Sequence, residues 1–553
     1  MNRFIFCTVM FTVNFMYGNS QSPDWEWVNR IGDINYDQMT AVALDDSGNV
    51  YVTGVFQGNV DFDPGIGVFY MNSNLSYGDI FISKFDSAGN FIWAKGIIGS
   101  FAGVATSIVV DTIGSNAIYV TGYFEGITDF DPGPGTYNLT SSNGGDYDIF
   151  ILKLNQLGDF EWATPLATFA FDFSTDLEIG AAGKLYITGN LGNQIFISKS
   201  DSMGNIEWTK SITGNGVGKS LVVDRFGNGD VYYSGSYNGL CDFDPGTGVF
   251  NLNGNGGFFS SLDSSGNFLF AKKIGGDGKT LLIDFNGSKD VYLGGVLTGT
   301  QDFDPDTSVF NLSSVGLNDI CISKITISGN LVWASSLGGP NLDEIISGDF
   351  VRSGNNKIIY VGDFHGTVDF DPGPAIRNLT AAYAAGYGDG FMLEIDTSGS
   401  FAWAKSIGGS RDDFAYDIAL DDLEKIYVVG YFYSSSISFG QDTIYNAGPP
   451  WSPTSDMFIA KLDTGLIYTN TNSEVYRNAV VIFPNPASTS FTITGNSFSQ
   501  NAQIEIFNLL GKKIYSAATC LPYTVDCRLF PPGIYLVKLQ SENSFAVQKL
   551  IVE

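Results

Sequence analysis

Four strand-like phrases recur in fixed order, seven times each, between Trp25 and Leu466. This predicts an all-β chain built as a seven-bladed β-propeller with four-stranded blades. A shorter run of alternating strands over 475–553 predicts a small Ig-like β-sandwich behind it. Composition agrees, since 67 glycines and 14% aromatic residues suit many tight turns between aromatic-rich strands.

The first phrase is led by Trp27, Trp93, Trp162, Trp208, Phe270, Trp333 and Trp403, with text such as WASSLGG and WAKSIGG. The second is an apolar strand, commonly ending in Asp, as at Asp45, Asp111, Asp224, Asp284 and Asp421. The third is YVTG-like, starting at Tyr51, Tyr119, Tyr186, Tyr232, Tyr292, Tyr360 and Tyr427. The fourth is FISK-like, with Phe81, Phe150, Phe196, Phe259, Cys321, Phe391 and Phe458 at its first marked position. The array begins with a Trp-led strand and ends on DMFIAKLD, Asp456 to Asp463. Each end lacks what the other supplies, so strand exchange is expected to close the ring and remove two exposed edges. DSAGN, DSMGN, DSSGN and DTSGS, starting at Asp86, Asp201, Asp263 and Asp396, read as hairpin turns with Asp bonding the turn backbone and Gly taking positive φ. The ordered set resembles the bacterial SBBP-type β-propeller repeats over Trp25 to Leu466. That resemblance implies a fold and an exported scaffold, with no defined reaction.

Met1-Asn2-Arg3, the apolar run Phe4–Tyr17 and the small residues Gly18-Asn19-Ser20 follow the order of a secretory signal peptide, expected over 1–20. The propeller is then expected over 21–466, a polar linker over 467–474 and the sandwich over 475–553. No later segment reaches 18 consecutive apolar residues, so a protein integral to a membrane is not expected. The net charge of −30 argues against binding nucleic acid through a basic surface. His365 is the only histidine, which removes sites built on two histidines and weakens any Ser-His-Asp or Cys-His engine. Cys241 and Cys321 read as buried free thiols, while Cys520 and Cys527 are close enough in sequence to bridge in an oxidising compartment.

A second motif, DFDPG-like, lies between the third and fourth phrases. Its paired aspartates are Asp61 and Asp63, Asp129 and Asp131, Asp242 and Asp244, Asp302 and Asp304, and Asp369 and Asp371. One reading is an added hairpin, with Pro-Gly making the turn and the Phe packed inward. The other is a metal site: in an extended DFD both carboxylates share one face, and hard oxygen donors suit Ca²⁺. Five near-identical pairs argue against a glycosidase dyad, which is a single asymmetric pair. No catalytic residue is assigned, and Asp343-Glu344 and Asp412-Asp413 read as loop charges after the GG of their repeats.

At the C-terminus, FPNPAS, IEIFNLLGKKI, LFPPGIYLVKL and QKLIV stand in order. Together they resemble the type A sorting domain of the type IX secretion system. The residues carrying the resemblance are Pro484, Asn485, Pro486, Gly511, Lys512, Gly533, Tyr535 and Lys549. It implies export by the Sec route, the type IX translocon as partner, and a secreted or outer-membrane cell-surface location in a Gram-negative bacterium. The expected function is a non-enzymatic propeller that binds an extracellular glycan, protein or matrix ligand. The alternatives are a polysaccharide-acting hydrolase or lyase, marked by a unique polar cluster at the channel mouth, and a calcium-stiffened surface scaffold.

Overall fold

A computed structural model describes residues 23–463 and 481–552 apart from short internal stretches, the longest being 341–348 and 495–501. The signal-peptide segment, the linker, Asp343-Glu344, Pro484, Asn485, Pro486, Gly511 and Cys520 lie outside the described residues. The chain divides into two compact units, Met1–Gly465 and Leu466–Glu553.

In the first unit the described strands fall into seven antiparallel four-stranded groups, taken here as blades. Blade 1 runs Gln38–Leu44, Val50–Phe56, Asp79–Phe85 and Phe91–Gly99, from the inner strand outward. Blades 2 to 6 repeat that order, with inner strands Gly103–Val110, Phe173–Ile179, the second half of Ile206–Val223, Thr280–Ile283 and Phe350–Ser353. Blade 7 has Asp413–Leu420 inside and borrows its outer strand, Asp24–Ile31, from the start of the chain. That strand pairs antiparallel with Asp456–Asp463, Asp24 opposite Asp463 and Ile31 opposite Met457. The expected strand exchange is therefore present.

The phrases have distinct packing duties. The third supplies central strands whose side chains are almost wholly buried, among them Tyr51, Tyr119, Tyr233, Tyr292, Tyr360 and Tyr427. Such two-sided burial is why it reads as a continuous aromatic and β-branched run. Its glycine permits a close approach. A Cβ on Gly54, Gly122 or Gly430 would sit about 2 Å from the carbonyl oxygen of Gln38, Val104 or Phe414 on the inner strand. At that place the inner strand bulges, between Met39 and Ala41, Ala105 and Ser107, Ser174 and Asp176, Gly218 and Ser220, and Ala415 and Asp417. The bulge turns one extra residue per strand out of the ladder and toward the axis.

The fourth phrase opens with an aspartate that the FISK pattern did not include. Asp79, Asp148, Asp319, Asp389 and Asp456 are all buried. Each accepts a backbone N–H, from Gly99, Ser142, Val315, Ala382 and Ala447, at 2.7–2.8 Å. The glycines ending the first phrase leave room for them: a Cβ on Gly338 or Gly408 would lie 2.1 Å from the carboxyl carbon of Asp319 or Asp389.

The second unit has two sheets, one ordered Val481–Phe483, Ser490–Thr494, Tyr523–Asp526 and the other Lys513–Thr519, Ala502–Asn508, Gly533–Gln540, Phe545–Val552. A core including Phe491, Ile493, Ile504, Ile506, Val525, Val537 and Leu539 gives the expected sandwich. Tyr535 is buried there and donates its hydroxyl proton to the Pro531 carbonyl, while Lys512 donates its N–H to the Asn508 side chain at 3.0 Å. Gly533 and Lys549 lie on paired neighbouring strands. Cys527 belongs to this core, as Cys241 and Cys321 belong to buried clusters of the propeller.

Candidate functional site: the channel and its aromatic mouth

The DFDPG segments are hairpins with a buried anchor. Phe62, Phe130, Phe243, Phe303 and Phe370 are buried. Four of them meet the leading aromatic of the fourth phrase, with ring centroids 4.9–5.1 Å apart: Phe62 on Phe81, Phe130 on Phe150, Phe370 on Phe391, and Phe243 on Phe258, which corrects the reading of Phe259 by one residue because Phe258 faces Gly235 as Phe81 faces Gly54. Phe303 packs instead on Cys321, the residue that replaces the aromatic there. One oxygen of each aspartate, Oδ1, is held by N–H groups of its own turn. Asp61 Oδ1 accepts the N–H groups of Asp63 at 3.1 Å and Phe69 at 2.7 Å, and Asp63 Oδ1 accepts that of Gly65 at 2.8 Å. Asp129 with Asp131, Asp242 with Asp244, Asp302 with Asp304, and Asp369 with Asp371 repeat this pattern. Among the described residues no group of three or more His, Cys, Asp or Glu side chains is arranged to hold a metal ion.

The inner strands enclose a cavity of about 730 Å³ on the ring axis, lined by residues from all seven blades. Asp176, Glu178, Lys219, Arg225, Asp349, Tyr416 and Asp417 are among them, so the sevenfold pattern is broken by polar side chains from blades 3, 4, 6 and 7. Asp176 and Asp417 follow the inner-strand bulge, at the position held by Ala41, Ser107 and Ser220 in blades 1, 2 and 4. Each carboxyl ties blades together. Asp417 accepts the N–H of Val42 at 2.7 Å, and Asp176 accepts that of Leu221 at 2.8 Å. Asp349 accepts the Thr280 hydroxyl at 3.0 Å and is hydrogen-bonded to Asp417.

Burial, then neighbouring charge, raises these acids. Asp349 is pushed up to about 6 and Asp417 well above the usual carboxylate range. Glu178 rises to about 8, from burial and then the charge of Asp176. Asp349 and Asp417 lie side by side, so ionising one disfavours ionising the other and the two titrate as a pair. This cluster is absent from the sequence-based expectations. Its only trace in the text is an acid in STDLEI, GDFV and YDIAL where other copies carry Ala, Ser or Thr. The loop reading of Asp412-Asp413 is corrected: Asp413 is buried, accepts the Ser434 N–H and hydroxyl at 3.1 and 2.6 Å, and is raised to about 8 by that burial.

At the end of the channel where the second phrases start and the third phrases finish, aromatic rings gather over consecutive blade boundaries. Tyr416, on the cavity wall, begins a series through Tyr431, Tyr433 and Tyr36, with centroids 6.0, 6.0 and 6.3 Å apart. Tyr77 meets Phe101 at 5.6 Å. Tyr123, also on the wall, meets Tyr147 at 5.0 Å, which meets Phe171 at 5.5 Å. Tyr383 pairs with Tyr387 at 5.7 Å. Tyr36, Tyr77, Phe101, Phe171, Tyr383 and Tyr387 are exposed.

Comparison with known proteins adds family and fold neighbours. The chain is 22% identical to an uncharacterized WD repeat-containing protein, L264, of Acanthamoeba polyphaga mimivirus, over 78% of this chain and 38% of that protein. It therefore spans well under half the length of that relative. Among solved structures it is similar to Sqt1 from Chaetomium thermophilum, at 10% identity and a TM-score of 0.37, covering 78% of this chain and 88% of that one. It is also similar to the extracellular domain of a putative hybrid two-component system from B. thetaiotaomicron, at 11% identity and a TM-score of 0.14, covering 95% and 100%. No helix among the described residues is long and apolar enough to cross a membrane. Residues 26–55 match the family model of the Beta-propeller repeat, and residues 481–553 that of the Secretion system C-terminal sorting domain. The chain thus carries an SBBP repeat propeller and a type IX sorting tail, and the tail marks it for export to the cell surface or for secretion.

Proposed function

We propose that the exported propeller is a non-enzymatic binding module, whose extracellular ligand rests on the loop face around the channel mouth. The observation that carries this is the set of exposed aromatic side chains at that end next to the cavity, Tyr36, Tyr77, Phe101, Phe171, Tyr383 and Tyr387. Rigid aromatic side chains with a polar tip give large contact area at low entropic cost, and they are enriched where proteins meet ligands. Loops on a fixed β scaffold are the usual carriers of such sites. The sorting tail brings the module to the outside through the type IX translocon.

The channel carboxyls favour a second reading, a polysaccharide hydrolase or lyase, because acids raised toward neutrality in a cavity suit general acid–base work. Their bonds run to backbone groups and neighbouring blades, which favours a staple over a catalyst. One experiment separates the readings: the mature protein is incubated with a panel of polysaccharides and matrix proteins, and both retention and newly formed reducing or unsaturated ends are measured. Retention without new ends supports the binding module. New ends that vanish in Asp349→Asn and Asp417→Asn support the enzyme. Neither retention nor new ends overturns both.

A further inference from the structure

We infer that the boundary between blades 2 and 3 is a docking site for an extended segment of another protein, one that carries an aromatic residue beside lysine or arginine. The site is marked by a gap in the repeat. Blades 1, 2, 4, 5, 6 and 7 each carry a hairpin between their third and fourth phrases. Blade 3 instead joins Leu185–Leu191 to Gln194–Ser200 through Gly192 and Asn193, both at positive φ, which is a two-residue hairpin turn. Elsewhere the hairpin of one blade closes over the outer strand of the blade before it. Thr128 and Asp129 of blade 2 pair with Gly99 and Ile98 of blade 1. The hairpin aromatic also shares a cluster with the aliphatic residue four after the Trp of that outer strand: Phe62 with Ile31, Phe130 with Ile97, Phe243 with Ile212, Phe370 with Leu337 and Phe439 with Ile407. Those five aliphatic residues are 0–1% exposed. Their counterpart on blade 2 is Leu166. It is only partly buried, and among the described residues its cluster holds no hairpin aromatic.

Three features select the occupant. The first is apolar surface held in place. Phe169 is 86% exposed, in the segment that leads from Leu166 into blade 3. The Thr168 hydroxyl donates to Asp172 at 2.9 Å, and Asp172 accepts the Gly192 N–H at 2.7 Å, so the turn that presents Phe169 is fixed to blade 3. The second is the open edge. Phe160–Leu166 is the last strand of its sheet, whereas its counterpart in blade 1 continues into the hairpin of blade 2. Pro165 carries no N–H, which opposes long edge-to-edge pairing with a second copy. Just beyond it, Ala167 and Thr168 stand where Ile98 and Gly99 take their two-residue pairing. A side chain in the place of Gly99 is compatible with a covering hairpin: Asp33, at the boundary of blades 7 and 1, accepts the Asn59 N–H at 3.0 Å. A short segment that adds to such an edge and seats a side chain beside it binds by β-augmentation. The third is charge. Between residues 96 and 183 eleven residues are Asp or Glu, and Lys153 is the only basic one. Lys153 is itself bridged to Glu161 at 2.9 Å. A second copy brings the same negative charge and is repelled, whereas a basic segment is attracted.

The test uses the mature full chain and cyclised peptides built on residues 126–141 of this chain, which keep the DFDPG turn and carry added lysines or added glutamates at both ends. Binding is read by calorimetry, and hydrogen exchange of the protein with and without peptide locates it. The lysine peptide is expected to bind and to slow exchange at the Ala167 amide, with the glutamate peptide about tenfold weaker or worse. Phe130→Ala in the peptide and Phe169→Ser in the protein are expected to weaken binding about tenfold each. Phe169 is exposed, so its loss leaves the blades packed. Val249→Ser, at an exposed position on the blade 4 hairpin, is expected to change nothing. No binding of the lysine peptide, equal binding of the glutamate peptide, slowed exchange away from blades 2 and 3, or indifference to both phenylalanine changes overturns the inference. Sedimentation velocity covers the second copy: a dimer that dissociates in Phe169→Ser would replace the partner segment by self-association. Retention of a ligand at the channel mouth is independent of all these outcomes, so the binding-face reading stands or falls separately.

Discussion

The two ends of the propeller strands treat aspartate in opposite ways. At one end the DxxGN hairpins hold Asp86, Asp201, Asp263 and Asp396 below the usual carboxylate range. At Asp201 the main cause is the Asn205 amide; at the other three, burial pulls upward and is outweighed by hydrogen bonds from Asn90, Asn267 and Ser398 together with backbone N–H groups. At the other end, burial raises Asp148, takes Asp389 and Asp456 up to about 6, and takes Asp37 and Asp413 up to about 8. The first end is also where blades interlock. Lys153, Lys199, Lys324 and Lys461 lie over the tyrosine of the YVTG phrase in their own blade, 5.0–5.4 Å from its centre. Each donates to a carbonyl in the next blade's hairpin, of Ser202, Ser264, Thr397 and Ser87, at 2.9–3.3 Å. In blade 6 the lysine becomes Glu394, paired with Lys357, and there the next blade is the ring closure and has no hairpin to receive. What repeats around the ring is architecture. The rings and acids that break the repeat, around the channel and its mouth, form the candidate site.

The largest effect expected from testing this contrast is on an architectural residue. Phe130→Ala removes a fully buried ring set against Phe124 and Phe150 at 5.2 and 5.0 Å, and should cost about 3–5 kcal/mol in chemical denaturation. A loss below about 1 kcal/mol would show that the DFDPG hairpin is not anchored in its blade.

Stability should next depend on pH with a sign that differs between the ends. An acid raised in the folded state keeps its proton while the unfolded chain ionises, so stability falls as pH climbs from about 4 toward 8 through Asp37 and Asp413. The lowered hairpin acids contribute stability above the ordinary carboxylate range, and it is lost as pH drops through that range. Melting temperature should therefore peak near about pH 4 and fall on either side. Asp413→Asn should shrink the decline toward pH 8, and an unchanged profile would remove the buried acids as its cause.

Lys199→Ala, which breaks a blade-to-blade bond, should cost about 1–2 kcal/mol. A cost equal to that of an exposed lysine such as Lys512 would leave the interlock without weight. The smallest effect concerns the paired aspartates of the hairpins. Millimolar Ca²⁺ against chelator should leave the melting temperature in place, because turn N–H groups already hold one oxygen of each of those carboxylates. A rise abolished by Asp→Asn at Asp61, Asp129, Asp242, Asp302 and Asp369 would make the hairpins metal sites instead.

The strand phrases were legible because repetition multiplies a weak signal. One YVTG says little, but seven in a fixed order with complementary ends specify a closed ring. The inward Phe of DFDPG was legible from alternation. The buried Asp that opens five of the seven fourth phrases, in DIFIS, DIFIL, DICIS, DGFML and DMFIA, is hard to read from the sequence, because charge at a strand start looks like a solvated end. The channel acids and the mouth were harder still. Asp349 and Asp417 are 68 residues apart, from 417 − 349, and nothing local marks them as neighbours.

Sequence by itself determined the all-β class, the repeat, the pairing of the chain's two propeller ends and the sorting tail, because each rests on local periodicity or on ordered motifs. Tertiary structure alone decided which aspartates lose water, which lysines reach a neighbouring blade and which tyrosines meet at the channel mouth. Those outcomes depend on contacts between residues tens to hundreds of positions apart, and burial and proximity are properties of the closed ring rather than of any strand in it.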